Sequence, residues 1–316
     1  MSLRRGAHRR RALALLGLCA LAGGMTGCLA HHKGAMPGEP PGARFAEVRG
    51  ARVHYVDNAR EGASPVVLIH GFASSLGVWA GLRPSLEAEH RVVALDLKGF
   101  GWTDRPRGDY SPEEQARIVV GLLDQLKIKQ TAVVAHSWGS SVALALALLY
   151  PERVSKIVLY DAWVYAEQLP TFFLWSRAAA LGELLFGLFY KEQPDVKMAN
   201  AFYDKAYITE PFVEHVQKQL DRPGTSAAAL AAVRGQRYEL VQDRYREIKQ
   251  PTLLLWGRED AVTVLEMGER LSRALPNSRL VVYPRCGHFP MIEAAAASNA
   301  EVARFLRDDA AQQGER

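Results

Sequence analysis

The stretch Thr131 to Tyr150, TAVVAHSWGSSVALALALLY, changes character at one point. Thr131 to Ala135 is short, apolar and partly β-branched, as befits a strand buried on both faces. From Ser137 to Tyr150 the chain is rich in alanine and leucine and reads as a helix. No loop separates the two, so Ser137 stands on a sharp strand-to-helix turn that holds its hydroxyl above the edge of a sheet. Two residues to either side stand Ala135 and Gly139, small enough for neighbouring backbone to approach. A serine that merely caps an ordinary helix is the plainer alternative, and the remainder of the chain decides between them.

Working outward, strand and helix signals alternate. Phe45 to Val48 and Arg52 to Val56 are short strands joined by a turn at Arg49-Gly50-Ala51. Val66 to Ile69 runs into His70-Gly71, and Arg91 to Leu97 runs into the glycine-rich Lys98-Gly99-Phe100-Gly101. Ser111-Pro112-Glu113-Glu114 has capping-box form, and Ile118, Val119, Leu122, Leu123 and Leu126 follow at helical spacing. Lys156 to Tyr160, Thr252 to Trp256 and Leu280 to Tyr283 are further strands, and a helix closes the chain from Ile292 to Leu306. Near-continuous apolar strands separated by helices predict an α/β fold with a mostly parallel central sheet flanked by helices. The alternation breaks over residues 162–248, which contain no clear strand, and that stretch is expected to be an inserted helical cap.

A serine hydroxyl is a weak nucleophile at its own pKa. It needs a base to take its proton and an acid to orient that base. Asp260 follows the strand Thr252 to Trp256 through Gly257-Arg258-Glu259, and His288 sits in Cys286-Gly287-His288-Phe289-Pro290 just past the last strand. Both leave the sheet at the edge that carries Ser137. Two other carboxylates are placed to compete: Glu259 next to Asp260, and Asp161 at the end of the sixth strand. An oxyanion formed at the serine would need fixed donors, and the backbone N–H of Trp138 is one.

The hairpin start, the alternation and the order Ser, Asp, His resemble the α/β-hydrolase fold superfamily over nearly all of Phe45 to Leu306. The resemblance implies a serine hydrolase with Ser137, Asp260 and His288 as catalytic triad. It places the acid at Asp260 in most members and at the Asp161 position in some. It also implies Phe72, after His70-Gly71, as the second oxyanion donor, with His70 and His136 structural. Asp96 to Pro106 resembles a family stretch that positions loops beside the pocket. Trp138-Gly139 looks like haloalkane dehalogenases and epoxide hydrolases, which carry Asp where this chain has Ser137; a serine forms an acyl-enzyme and points to acyl transfer. Neither a metal nor an organic cofactor is implied.

The 316 residues are 48% hydrophobic, enough for a large buried core, and carry a net charge of +5. Arg4, Arg5, Arg9, Arg10 and Arg11 account for that excess, and no acidic residue precedes Cys28. The basic balance therefore gives no support to a nucleic-acid partner. Arginines, then the apolar run Ala12 to Ala22, then Met25-Thr26-Gly27-Cys28 resemble a bacterial lipoprotein signal. Residues 1–27 are expected to be that signal, Cys28 a lipidated anchor in the bacterial cell envelope, and residues 28–44 a flexible tether, given three prolines and three glycines between His31 and Gly42. The core is expected over 45–161 and 249–310.

Phe172, Phe173, Leu174, Trp175, Leu184, Leu185, Phe186, Leu188 and Phe189 are expected to pack the cap onto the core, some of them facing substrate. The sequence reading favours a carboxylic ester with an apolar acyl part. A carbon–carbon bond hydrolase or cofactor-free perhydrolase with the same triad, and a non-catalytic envelope binding protein, are the alternatives.

Overall fold

A computed structural model describes residues 29–312, with side chains to Arg307. Eight strands form one sheet: β1 (Arg44–Val48), β2 (Ala51–Asp57), β3 (Pro65–Ile69), β4 (Arg91–Leu95), β5 (Thr131–His136), β6 (Val154–Tyr160), β7 (Thr252–Gly257) and β8 (Ser278–Tyr283). Their order across the sheet is β1-β2-β4-β3-β5-β6-β7-β8. The pairs β1–β2 and β2–β4 are antiparallel, and every later pair is parallel. The parallel strands point the same way, so the loops after β3, β5, β6, β7 and β8 leave at a common edge.

Period-two alternation sorts the apolar runs onto two faces. Val67, Ile69, Val93, Leu95, Val133 and Ala135 share one core with helices α2 (Pro112–Gln125) and α3 (Trp138–Leu149). Val66, Leu68, Val92, Ala94, Val134 and Leu253 share the other with Trp79, Met291 and Val302. Ser111 caps α2 as expected, its Oγ accepting the Glu114 N–H at 3.2 Å. The reciprocal half of the capping box does not form, because the Glu114 carboxylate pairs with Arg49 at 2.8 Å.

Among the elements that escaped the sequence are a single turn at Leu76–Trp79, helix α1 (Arg83–Glu87) and a helix over Leu265–Ala274. The closing helix is divided. Ala294, at φ −120°, leaves helical geometry and separates α10 (Pro290–Glu293) from α11 (Ala295–Gln312).

Within 162–248 the described structure contains helices and no strand: α4 (Thr171–Ser176), α5 (Leu181–Phe189), α6 (Pro194–Ala199), α7 (Glu210–Leu220) and α8 (Thr225–Gly235). The helix α9 (Leu265–Ala274) lies between β7 and β8. One expectation about the cap fails. Phe186 is buried and Phe172 and Phe173 are half-buried, but Leu174, Trp175, Leu184, Leu188 and Phe189 are exposed. The helices turn a second apolar face outward, and core packing explains only the inner one.

The expected flexible tether also needs correction over 29–44. His32 and Arg105 exchange backbone hydrogen bonds of 3.0 and 2.8 Å, the Gly34 N–H donates to Asp104 Oδ1 at 2.9 Å, and Met36 is buried. Glycine and proline here shape a path along the core surface, where the backbone finds partners. Cys28 and the expected signal, residues 1–27, lie outside the described residues.

Candidate active site

The turn at Ser137 has φ 52° and ψ −124°, a backbone state that costs free energy unless its surroundings impose it. Its surroundings do. A side chain at Gly139 would put Cβ 2.4 Å from the His70 carbonyl oxygen, and one at Gly71 would reach 3.0 Å from Ser137 Cβ. The ends of β3 and β5 are thus pressed together, and Ala135, at the end of β5 and fully buried, fits the same constraint. The Ser137 N–H and C=O are held by the Tyr160 carbonyl at 2.9 Å and the Trp163 N–H at 3.1 Å.

Ser137 Oγ lies 2.9 Å from His288 Nε2, and His288 Nδ1 lies 2.7 Å from Asp260 Oδ2. All three side chains are buried. Asp260 is further fixed by the N–H groups of Val262 (2.7 Å) and Thr263 (3.1 Å) and by the Thr263 hydroxyl (2.6 Å). Burial pushes the Asp260 carboxyl up, but the charge and hydrogen bond of His288, with those from Thr263 and Val262, outweigh it and hold the group below the usual range. Asp260 is therefore an anion facing the imidazole, the arrangement that orients a base and stabilises it once protonated.

Neither rival for the acid pairs with the His288 imidazole, which Asp260 occupies. Glu259 accepts the Cys286 N–H at 3.0 Å and braces the loop that carries His288. Asp161 ends β6 with its Oδ1 accepting the Gly257 N–H at 2.9 Å and its Oδ2 buried without a partner. Burial first, and then the charge of Asp260, push its carboxyl well above the usual range, so it is held neutral. Oxygen and nitrogen atoms of Asp161, Asp260 and His288 lie within 4.8 Å of one another, a spacing that could hold a cation, but Asp260 and His288 already spend theirs on each other.

The loop after β3 is fixed by His70. Its Nδ1 donates to the Gly71 carbonyl at 2.7 Å and its Nε2 accepts the Leu97 N–H at 2.9 Å. His136 donates from Nε2 to the His288 carbonyl at 2.8 Å, and burial, reinforced by the nearby His288, holds it neutral. Both histidines shape the site without touching the Ser137 hydroxyl. The N–H groups of Phe72 and Trp138 donate to no acceptor among the described residues. The Phe72 ring meets Phe100, Trp138, Phe173 and Tyr190 at 5.3 to 6.2 Å, which gives this corner an aromatic wall. Asp96 accepts from Leu76 N–H (2.7 Å), Trp102 N–H (2.8 Å) and His54 (2.7 Å), so its stretch is structural.

Sequence reading missed two polar residues. Thr263 ties the Asp260 loop, and the Asp-x-x-Thr spacing of a side-chain-closed turn was the available signal. Glu293 accepts from Gly287 at 2.9 Å, Tyr203 at 2.8 Å and Asp204 at 3.0 Å, joining the His288 loop to the cap. The two cap partners lie 90 and 89 residues away, beyond any local signal.

Known proteins resemble this chain over most of its length. Residues 64–295 match the model of the alpha/beta hydrolase fold family. The chain is 33% identical over 248 residues, 73% of its own length and 84% of the relative's, to the 2-hydroxy-6-oxo-2,4-heptadienoate hydrolase of Pseudomonas putida. It is 32% identical over 293 residues, 85% of its length and 98% of the relative's, to a 2-hydroxy-6-oxononadienedioate/2-hydroxy-6-oxononatrienedioate hydrolase of the same species. Among solved structures, the meta-cleavage product hydrolase of Pseudomonas fluorescens superposes with a TM-score of 0.73 at 26% identity, covering 84% of this chain and 98% of that one. The chain is a hydrolase that belongs to the alpha/beta hydrolase fold family.

Proposed function

We propose that the chain is a serine hydrolase that breaks the carbon–carbon bond beside a ketone. The observation that carries the serine mechanism is the chain of hydrogen bonds from Ser137 through His288 to Asp260, at 2.9 and 2.7 Å. Ser137 Oγ attacks the ketone carbon while its proton passes to His288 Nε2. The Phe72 and Trp138 N–H groups receive the oxyanion. With the substrate in its 2-keto tautomer, the 2-hydroxyl proton having moved to the carbon beside the ketone, the carbonyl re-forms and the carbon–carbon bond breaks; its electron pair passes through the conjugated chain onto the 2-keto oxygen as a dienolate, which takes the proton from His288. Water, activated by the same imidazole, then releases the acid from Ser137. The relatives named above, which hydrolyse 2-hydroxy-6-oxo-dienoates, support this choice of bond.

A carboxylic ester is the second reading. The aromatic wall around Phe72 favours it, since such rings suit an apolar acyl part. The test is substrate turnover by one preparation, with 2-hydroxy-6-oxo-dienoates followed by loss of their dienolate absorbance and p-nitrophenyl esters of increasing length followed by phenolate release. A higher kcat/KM for the dienoates supports the first reading. Turnover of esters alone, rising with chain length, supports the second.

We infer further that residues 1–27 are a lipoprotein signal and that Cys28 carries an acyl lipid such as palmitate in a bacterial envelope. Five arginines, the run Ala12 to Ala22 and Met25-Thr26-Gly27-Cys28 support this. Mass spectrometry of the mature amino terminus tests it; an unmodified chain retaining Met1 contradicts it.

A further inference from the structure

Among the described residues, nothing covers the outward face of the cap. Leu174, Trp175, Leu181, Leu184, Leu188 and Phe189 are all exposed, Trp175 at 60% and Phe189 at 53%. Residues 181, 184 and 188 fall on one stripe of α5 by helical spacing. α4 packs beside α5, so Leu174 and Trp175 adjoin that stripe. Ala178, Ala179 and Ala180 between the helices are exposed too, and no exposed residue from Leu174 to Phe189 is charged. Monomeric proteins seldom leave so continuous an apolar surface in water without a use for it.

The place of Leu29 argues for what covers this face. Leu29, the first described residue, sits in a groove of about 550 Å³ bordered by Glu183, Leu230 and Arg234. Glu183 belongs to α5 and is ion-paired with Arg234 at 2.8 Å. Leu29 thus stands beside the helix that carries the exposed stripe, and Cys28 is the residue before it in the sequence. An anchor one residue from this point holds the same side of the molecule against the bilayer.

We propose that the outer face of α4 and α5 lies in the interface of a lipid bilayer, next to the point where Cys28 is anchored. The geometry resembles an interfacial helix, apolar stripe down, with anchor and stripe acting as two attachments where one would bind only weakly. The inner face of the same helices carries Phe173 and Phe186, which reach the aromatic wall at Phe72 through Phe173 and through the Phe186–Tyr190 stack. One layer of helices then separates the lipid surface from Ser137. The proposal rests on the anchoring reading, and its test keeps the two apart.

The full chain is produced in bacteria, its amino terminus is identified by mass spectrometry, and it is placed in nanodiscs of phosphatidylethanolamine and phosphatidylglycerol. Hydrogen exchange is compared with and without the bilayer. The expected result is several-fold slower exchange over 171–190 in nanodiscs, little change in α2, and loss of the protection in Leu184→Glu/Leu188→Glu. That variant replaces exposed residues and retains its thermal midpoint and fluorophosphonate labelling. A chain held at Cys28 but equally exchanging over 171–190 overturns the docking while leaving the anchor standing. Protection of 171–190 without lipid, rising with protein concentration, assigns the face to a second copy and also overturns it. A chain with no lipid and no affinity for the discs overturns both.

Discussion

Asp161 and Asp260 bring two carboxyl groups into one buried cluster with His288, and their surroundings push the two carboxyls in opposite directions, Asp161 up and Asp260 down. The imidazole and three further donors favour the Asp260 anion, whereas burial and the Asp260 charge outweigh the single backbone N–H at Asp161 and favour its neutral form. Environment, rather than residue type, separates the roles.

An amide mimics a neutral carboxylic acid and not a carboxylate. Asp161→Asn is therefore expected to keep kcat within about tenfold, whereas Asp260→Asn should lower it by about 10⁴, as loss of the orienting anion does in serine triads. Steady-state kinetics of the two variants across pH checks this. A loss in Asp161→Asn as large as that in Asp260→Asn would move the acid to residue 161.

Backbone crowding at the nucleophile turn makes Gly139 the less replaceable of two small residues. Gly139→Ala drives a methyl to 2.4 Å from a backbone oxygen that cannot move aside, and should cost on the order of 1–3 kcal/mol or prevent folding. Ala135→Gly removes only a methyl and should cost about 1 kcal/mol. Urea denaturation of both variants tests the ranking, and equal midpoints would contradict it.

Glu293 links the His288 loop to the cap through three N–H donors. Glu293→Ala frees both, and displacement of the imidazole by about 1 Å is enough to cost up to roughly 10²-fold in kcat. The circular dichroism spectrum should be retained. Unchanged turnover would contradict this and show that the loop holds its place through its other bonds, among them His288 N–H to the Ala201 carbonyl at 2.6 Å and Cys286 N–H to Glu259 at 3.0 Å.

Acid should weaken the sheet edge at Asp57. Burial raises that carboxyl, but its hydrogen bonds with Arg91 and Ala59 and the Arg91 charge hold it below its ordinary value. A lowered folded value means stability present above the unfolded value near 3.9 and lost as pH falls through the folded one. Asp57→Asn should thus be less stable than the parent at pH 7, and the two should converge in acid. A constant difference in denaturation midpoint across that range would contradict the pairing.

The sequence disclosed whatever is carried by local pattern. The strand-to-helix change at Ser137, the glycine beside it and the carboxyl-edge positions of Asp260 and His288 are readable from period, turn chemistry and order. Contacts between distant segments are not. Glu293 meets Tyr203 across 90 residues, and the residues around His32 looked like a tether until Arg105 supplied backbone partners. The cap misled for a different reason. Apolar density in α4 and α5 reads the same whether a face turns inward, as at Phe186, or outward, as at Trp175.

Reaction of the full chain with a fluorophosphonate, mapped by peptide mass spectrometry, tests the relay at Ser137 most directly. The account predicts one adduct, on Ser137, absent from Ser137→Ala and strongly slowed in His288→Ala. A folded parent chain that takes no label, or a Ser137→Ala variant labelled as fast as the parent, would contradict it.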